Sequence, residues 1–261
     1  MTKATDMRAE TFVRARLSAG SVDVFPGEKP ASLEEAYNIQ DSAIGLWPKP
    51  VGGWKVGRIT GDYETELGHD RLVGPVFTEL CFHNDKTVHD MPVFSAGFAA
   101  VEGEVTAVIS RDAPTGQETF TTEEALSYIE ALHVGVEVAS SPFAEINDHG
   151  PLVTIADFGN NYGIILGKEI PDWREMKVED WVFETFINGE SVGKAAPTGL
   201  PGGPVESVRY LLENTSRRGV PLKAGQLVVT GAVTGVHQAF VGDESEVTCC
   251  GEKISLRLTG A

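Results

Sequence analysis

The stretch that most constrains this chain is "FAAVEGEVTAVIS", residues 98–110, an apolar run with Glu102 and Glu104 in its middle. In a β-strand successive side chains face opposite ways, so residues two apart share a face about 7 Å apart. Glu102 and Glu104 therefore point the same way. Val101, Val105, Ala107, Val108 and Ile109 around them are apolar enough to pack the strand on at least one side. Two ionised carboxylates on a partly buried face repel each other and lose hydration. That costs several kcal/mol per charge unless a cation or hydrogen bonds compensate, roughly. An antiparallel strand with its acid face in water would hold the same pair without any such partner.

The remainder of the chain divides by pattern. "MRAETFVRARLSAG" has spaced apolar residues and ends in Gly20, and "ASLEEAYNIQDSAIGLW" places Ser32 and Glu35 at capping-box spacing, so both predict helices. From "VGGWKVG" onward, short β-branched runs alternate with Gly, Pro and Asn turns: "AVIS", "PLVTIADF", "YGIILG", "WVFETFING", "GQLVVTG" and "KISLRLTG" read as strands. Two further helices are expected. "TTEEALSYIEAL" opens with Thr121 and Glu124 as a capping box, and "GPVESVRYLLENTSRRG" carries Val205, Val208, Leu211 and Leu212 on one face before Gly219. No regular β-α alternation and no internal repeat is present, which argues against a Rossmann fold or a barrel of parallel strands. The expected class is α+β, with a large mixed or antiparallel sheet system in residues 51–261 behind a small helical region in 1–50.

Glu137, in "ALHVGVEVASS", interrupts another β-branched run. With Glu102 and Glu104 it completes a set of hard oxygen donors suited to Mg²⁺ or Mn²⁺, without the Cys and His ligands that zinc prefers. The six histidines show no metal-binding spacing. A net charge of −17 over 261 residues argues against nucleic acid or an anionic membrane as partner. The 41% hydrophobic content is enough for a sizeable core. Cys81, Cys249 and Cys250 form no C-x-x-C motif and no even framework, the latter two facing opposite ways if they lie on a strand; the N-terminus lacks an apolar signal core. A reducing, cytoplasmic setting is the simplest expectation. In "GWKVG", Lys55 sits between glycines beside Trp54, where a tight pocket could lower its pKa toward neutrality, although a turn-strand with an exposed lysine reads the same. "GLPGGP", residues 199–204, lacks the ending of a phosphate loop and reads as a loop that caps the next helix. No nucleophile elbow is present.

Taken in order, "ASLEEAYNIQ", "GWKVG", "VEGEV", "GVEVASS", "ADFGNNYGIILG", "INGE" and "PLKAGQLVVTGAVTG" resemble the successive blocks of the fumarylacetoacetate hydrolase superfamily. The likeness is strongest to its branch of 2-keto-4-pentenoate hydratases, 2-oxohept-4-ene-1,7-dioate hydratases and 4-oxalocrotonate decarboxylases. It runs from about residue 31 to the end. The resemblance implies a mixed β-roll and a divalent metal held by Glu102, Glu104 and Glu137. It also implies Lys55 as the active-site lysine, a homo-oligomer, and an enzyme of aromatic-compound breakdown. Where the family has an aspartate, "GPVFTELCF" offers Glu79, and where hydratases often show a D-N-A-S block, "ADFGNNYG" places Asn160, with Asn161 adjacent.

A 2-keto acid can chelate such a metal through its carboxylate and carbonyl oxygens, and the metal then stabilises charge that develops on enolisation. Hydration of a 2-hydroxydienoate is the expected reaction, with Lys55 and Glu79 moving protons and Asn160 orienting substrate or water. The same enolate supports decarboxylation, dehydration of a sugar acid or C–C hydrolysis, and an inactive keto-acid-binding relative is the non-enzymatic alternative. The segment between Lys55 and Glu79, rich in Gly, Asp and charge, reads equally as a lid that orders on substrate binding or as an ordinary surface connection.

Overall fold

The computed structural model describes residues 6–261. Two helices lead, α1 (Met7–Leu17) and α2 (Leu33–Leu46), with Asp6 accepting from the Arg8 amide and Ser32 from the Glu35 amide as their caps. They are followed by β1 (Val51–Arg58), α3 (Asp62–Leu67), β2 (Arg71–Phe77), β3 (Cys81–His83), β4 (His89–Val93) and β5 (Phe98–Ile109). Next come α4 (Thr122–Tyr128), β6 (Ile129–Ser141), α5 (Pro151–Ala156), β7 (Asn161–Glu169), β8 (Phe183–Ile187) and β9 (Glu190–Ala195). The chain ends with α6 (Gly203–Arg217), β10 (Leu227–Ala232), β11 (His237–Gln238), β12 (Glu244–Cys249) and β13 (Glu252–Gly260).

The strands form two sheets. The larger runs β2-β1-β10-β5-β6-β7-β3, with β11 added beside β5, and the smaller runs β4-β13-β12-β8-β9. The larger sheet mixes parallel pairs (β1 with β10, β3 with β7) and antiparallel ones. It curls so that β1, next to one edge, approaches β3 at the other: a Cβ on Gly52 of β1 would lie 3.1 Å from Cys81 Sγ in β3. This is the α+β roll that the sequence pattern and the resemblance lead one to expect.

The two faces of the rolled sheet do different work. Val101, Val105, Ala107, Val134, Val136 and Val138 face outward into the main core, which also takes Val247, Ile254 and Leu256 of the small sheet and Val208, Leu211 and Leu212 of α6. The alternate residues face inward, where Val76, Ile164, Leu166, Leu227 and Val229 pack together. Glu102 and Glu104 belong to that inward set. Both strand faces are covered, so their burial leaves no solvent side. No helix among the described residues is long and apolar enough to cross a membrane.

Four local expectations differ from the structure. "PLVTIADF" is helix α5 followed by a turn, not a strand: Gly150 at φ 80° turns the chain and Pro151 occupies the first helical turn, where its missing N–H costs nothing. The helix of "TTEEALSYIEAL" keeps its Thr121–Glu124 capping box but stops at Tyr128, because β6 pairs with β5 all the way from Ile129 to Ser141. The supposed lid is mostly framework, since β2 is buried throughout and only residues 59–70 form a connection, carrying α3. Cys250 is not on a strand but in the β12–β13 turn at φ 49°, with its Sγ 3.3 Å from that of Cys249.

Candidate metal and active site

β5 and β6 run antiparallel with Glu102 opposite Glu137, and Glu104 follows two residues on, so one end of the roll collects three inward carboxylates. One oxygen from each lies within 4.8 Å of the others, and all three residues are buried. β1 delivers Lys55 to the same end, with its Nζ 2.9 Å from Glu137 Oε1. Asn161 Nδ2 donates to that same oxygen at 2.9 Å. Where β10 departs from regular pairing with β5, the freed Gly231 N–H donates to Glu104 Oε2 at 2.7 Å. Glu104 Oε1, Glu137 Oε2, Asn160 Oδ1 and Asn161 Oδ1 remain buried without a partner among the described residues.

Three carboxylates against one ammonium leave two negative charges in this interior. The protein alone relieves that by holding protons: burial, with the charge of Glu137, pushes Glu102 up to about 7, and burial with both neighbouring acids raises Glu104 well above the ordinary carboxylate range. Burial alone would pull Lys55 down, but Glu137, Glu102 and Glu104 outweigh it and hold the ammonium above the usual lysine range. The sequence expectation of a lysine tuned toward neutrality is therefore reversed in the metal-free protein. A hard divalent cation fits the donor set: it matches the two excess charges and gives the unpartnered carboxylate oxygens a ligand role.

A left-handed turn forms one wall. Phe158, Gly159 and Asn160 have φ of 53°, 68° and 61°. For Phe and Asn such backbone costs about 1–3 kcal/mol each and persists only where the surroundings impose it. The surroundings here are specific. Arg16 of α1, fully buried, donates to Asp157 Oδ1 at 2.5 Å and Oδ2 at 2.9 Å, and to the carbonyls of Asn161 and Ser140. Ser141 Oγ donates to Asp157 Oδ2 as well, and the guanidinium lies 5.2 Å from the Phe158 ring centre. The turn then rests on β2, where a Cβ on Gly74 would come within 2.1 Å of Phe158 O, a separation no real atom pair tolerates. Gly74→Ala is thus expected to cost about 1–3 kcal/mol by overpacking and to displace Asn160, as read by urea unfolding.

The site opens into a cavity of about 480 Å³ lined by Lys55, Glu102, Asn160, Asn147, Tyr63 and Arg58 among others. Tyr63 of α3 reaches over the mouth to Gly150, where an added Cβ would meet its ring at 2.7 Å. Of the residues singled out from sequence, Lys55, Glu102, Glu104, Glu137, Asn160 and Asn161 come together, with Lys55, Glu102 and Asn160 lining the cavity and Glu104, Glu137 and Asn161, which holds Glu137, not lining it. Glu79 does not join them. β2 ends at Phe77, and Glu79 falls on the exposed turn beyond it, its Oε1 accepting from the Trp47 indole N–H at 2.8 Å. An acid there is committed to the outer surface, so its candidacy for proton transfer is withdrawn. Arg16, Asp157 and the Gly231 amide were missed; a buried arginine on a short helix looks in sequence like its exposed neighbour Arg14.

Residues 79–259 match the family model described as fumarylacetoacetate (FAA) hydrolase C-terminal. The chain is 28% identical over 229 residues to a 2-keto-4-pentenoate hydratase of Paraburkholderia xenovorans (strain LB400), covering 86% of this chain and 81% of that protein. It is 24% identical over 243 residues to a 2-hydroxyhexa-2,4-dienoate hydratase of Comamonas testosteroni, covering 91% and 89%. In structure it superposes on 4-oxalocrotonate decarboxylase from Pseudomonas putida G7, solved with magnesium and adipate, with a TM-score of 0.78 over 97% of this chain and 96% of that one at 20% identity. Fumarylpyruvate hydrolase from Pseudomonas aeruginosa, solved with Mn²⁺ and pyruvate, shares the fold more loosely, with a TM-score of 0.58 over 82% and 91% at 17% identity. The family model covers well over half the chain, and the rolled sheet carries that family's fold: this protein belongs to the fumarylacetoacetate hydrolase family.

Proposed function

We propose that the protein is a divalent-metal-dependent hydratase that adds water to a 2-hydroxydienoate, or its 2-keto-4-enoate tautomer, using Mg²⁺ or Mn²⁺. The carrying observation is the group of Glu102, Glu104 and Glu137 with Lys55 2.9 Å from Glu137, of which Lys55 and Glu102 line one cavity. When bound, a divalent cation there supplies positive charge for the oxygens of a 2-keto acid, lowering the cost of the negative charge that enolisation develops.

The chain's own groups do the rest. Asn161 and the Gly231 amide fix Glu137 and Glu104 in place. Lys55 Nζ carries the proton delivered to carbon 5 of the dienol as the enol O–H is lost, giving the 3-enoate. Water then adds at carbon 4, and a proton at carbon 3 completes the 4-hydroxy-2-keto acid. Asn160, which lines the cavity with Oδ1 buried and unpartnered among the described residues, accepts from and orients that water or the substrate. Tyr63 and α3 narrow the mouth and limit bulk water. In this reading residues 51–261 are the catalytic domain, and the helices of 1–50 brace its turn through Arg16.

A substrate panel tests the reading: the protein with Mg²⁺ against 2-hydroxydienoates, oxalocrotonate, acylpyruvates and 2-keto-3-deoxy sugar acids. Metal-dependent loss of dienol absorbance with formation of a 4-hydroxy-2-keto acid is expected. Turnover confined to oxalocrotonate with CO₂ release would make it a decarboxylase, and binding without any turnover would make it a keto-acid-binding relative.

A further inference from the structure

The cavity carries one cation that the proposed chemistry does not use. Its charged lining residues are Lys55, Glu102 and Arg58, and the charge of Lys55 is already taken by Glu137. Arg58 is at the last position of β1, three residues beyond Lys55, about 10 Å on if the strand stays extended. Its Nη1 donates to the carbonyl of Gly199 at 2.9 Å, which anchors the "GLPGGP" loop beside the mouth. Among the described residues it has no carboxylate within ion-pair distance, although the chain carries 38 acids. A guanidinium has five N–H donors in a planar fork, so most of them stay free for a ligand. The same cavity is lined by the apolar Ile59, Leu72, Ala232 and Val236 as well as by the polar Thr60, Asn147 and Thr154.

One cavity thus holds Lys55 and the metal-suited carboxylate of Glu102 together with apolar side chains and the exposed guanidinium of Arg58, three residues further along β1. We infer that Arg58 is a specificity-determining residue that receives a distal carboxylate, so that the substrate class is 2-keto acids ending in a second carboxylate, not those ending in a methyl or vinyl group. This rests on the 2-keto-acid reading above. The recognition is a charge-assisted pair of N–H···O bonds across the fork, which a methyl terminus cannot form.

A matched pair of unreactive ligands isolates the contact. 2-Oxoadipate and 2-oxohexanoate share the keto-acid head and chain length and differ only in the terminal carboxylate, and calorimetric titration in the presence of Mn²⁺ measures each without turnover. Wild type is expected to bind 2-oxoadipate about tenfold or more tightly than 2-oxohexanoate. Arg58→Gln is expected to erase that preference by weakening 2-oxoadipate alone, and Arg58→Lys to restore part of it. A purely structural role in holding the Gly199 loop would weaken both ligands together. Equal affinity for the two in wild type, or an undiminished preference in Arg58→Gln, overturns the assignment of Arg58 while leaving the keto-acid reading standing. Failure of wild type to bind either ligand overturns the keto-acid reading and this inference with it.

Discussion

Lys55→Met is expected to lower kcat by roughly a hundredfold or more, the scale of losing a general acid or base, while Mn²⁺ binds as well as before or more tightly. The two halves of that expectation come from one contact. Lys55 Nζ is 2.9 Å from Glu137 Oε1, so in the metal-free protein the ammonium competes for an oxygen that a cation would use. Removing it frees a ligand; it does not damage the cluster. The stem is already held in place, since a Cβ on Gly159 would sit 3.2 Å from Lys55 Cδ, and methionine fills that apolar channel. If Lys55 were only a counter-ion, the variant would lose stability or bind Mn²⁺ differently and yet keep kcat near wild type, so kcat is the deciding readout. A kcat within about threefold of wild type removes the proton-transfer role.

The second large effect lies in the Arg16–Asp157 pair. Both side chains are almost completely buried, at 1% and 0% exposure, and the guanidinium also satisfies the carbonyls of Ser140 and Asn161. Removing one partner of such a pair leaves an uncompensated buried charge and costs about 3–5 kcal/mol, whereas replacing both by apolar residues of similar volume is often nearly neutral. Arg16→Met and Asp157→Leu singly are therefore expected to lower Tm by roughly 10 °C, at about 2–4 °C per kcal/mol for a chain of this size. The double variant should recover much of that loss. Because Asp157 begins the left-handed turn at Phe158–Asn160, and Asn161 next to it holds Glu137, the double variant should also bind Mn²⁺ more weakly than wild type despite its recovered stability. A double-variant loss equal to the sum of the two single losses would show that the pair is not coupled, and unaltered Mn²⁺ affinity in the double variant would show that the turn does not depend on it.

The acids of β5 and β6 were legible because a charge in a β-branched run is costly wherever it is buried, and strand periodicity alone puts residues 102 and 104 on one face. Helix starts were legible where a side chain caps them, as at Ser32 and Thr121. Other features depend on contacts between distant segments, and local pattern does not carry those. The apolar run 151–156 suits a buried strand or a buried helix equally well until Pro151 is weighed as a first-turn residue. Glu79 matched a block position but lies past the end of β2, and a shift of two residues at a strand end moves an acid from the interior to the surface. Arg16 carries no local signal, since its role is set by Asp157, 141 positions away in the chain. Residues 56–79 read as polar and mobile because their charges concentrate in 62–70, while the pairing of β2 with β1 buries the remainder.

The central claim is that Glu102, Glu104 and Glu137 together hold one divalent cation, and Mn²⁺ titration calorimetry on the wild type and on Glu102→Gln, Glu104→Gln and Glu137→Gln tests it most directly. Each substitution nearly keeps shape while removing one negative charge from a buried group that has an excess of two. Wild type should take up one equivalent of Mn²⁺, each variant should bind it at least about tenfold more weakly, since a ligand charge is lost, and the metal-free variants should be as stable as wild type or more so. Mn²⁺ affinity unchanged in all three variants would contradict the account.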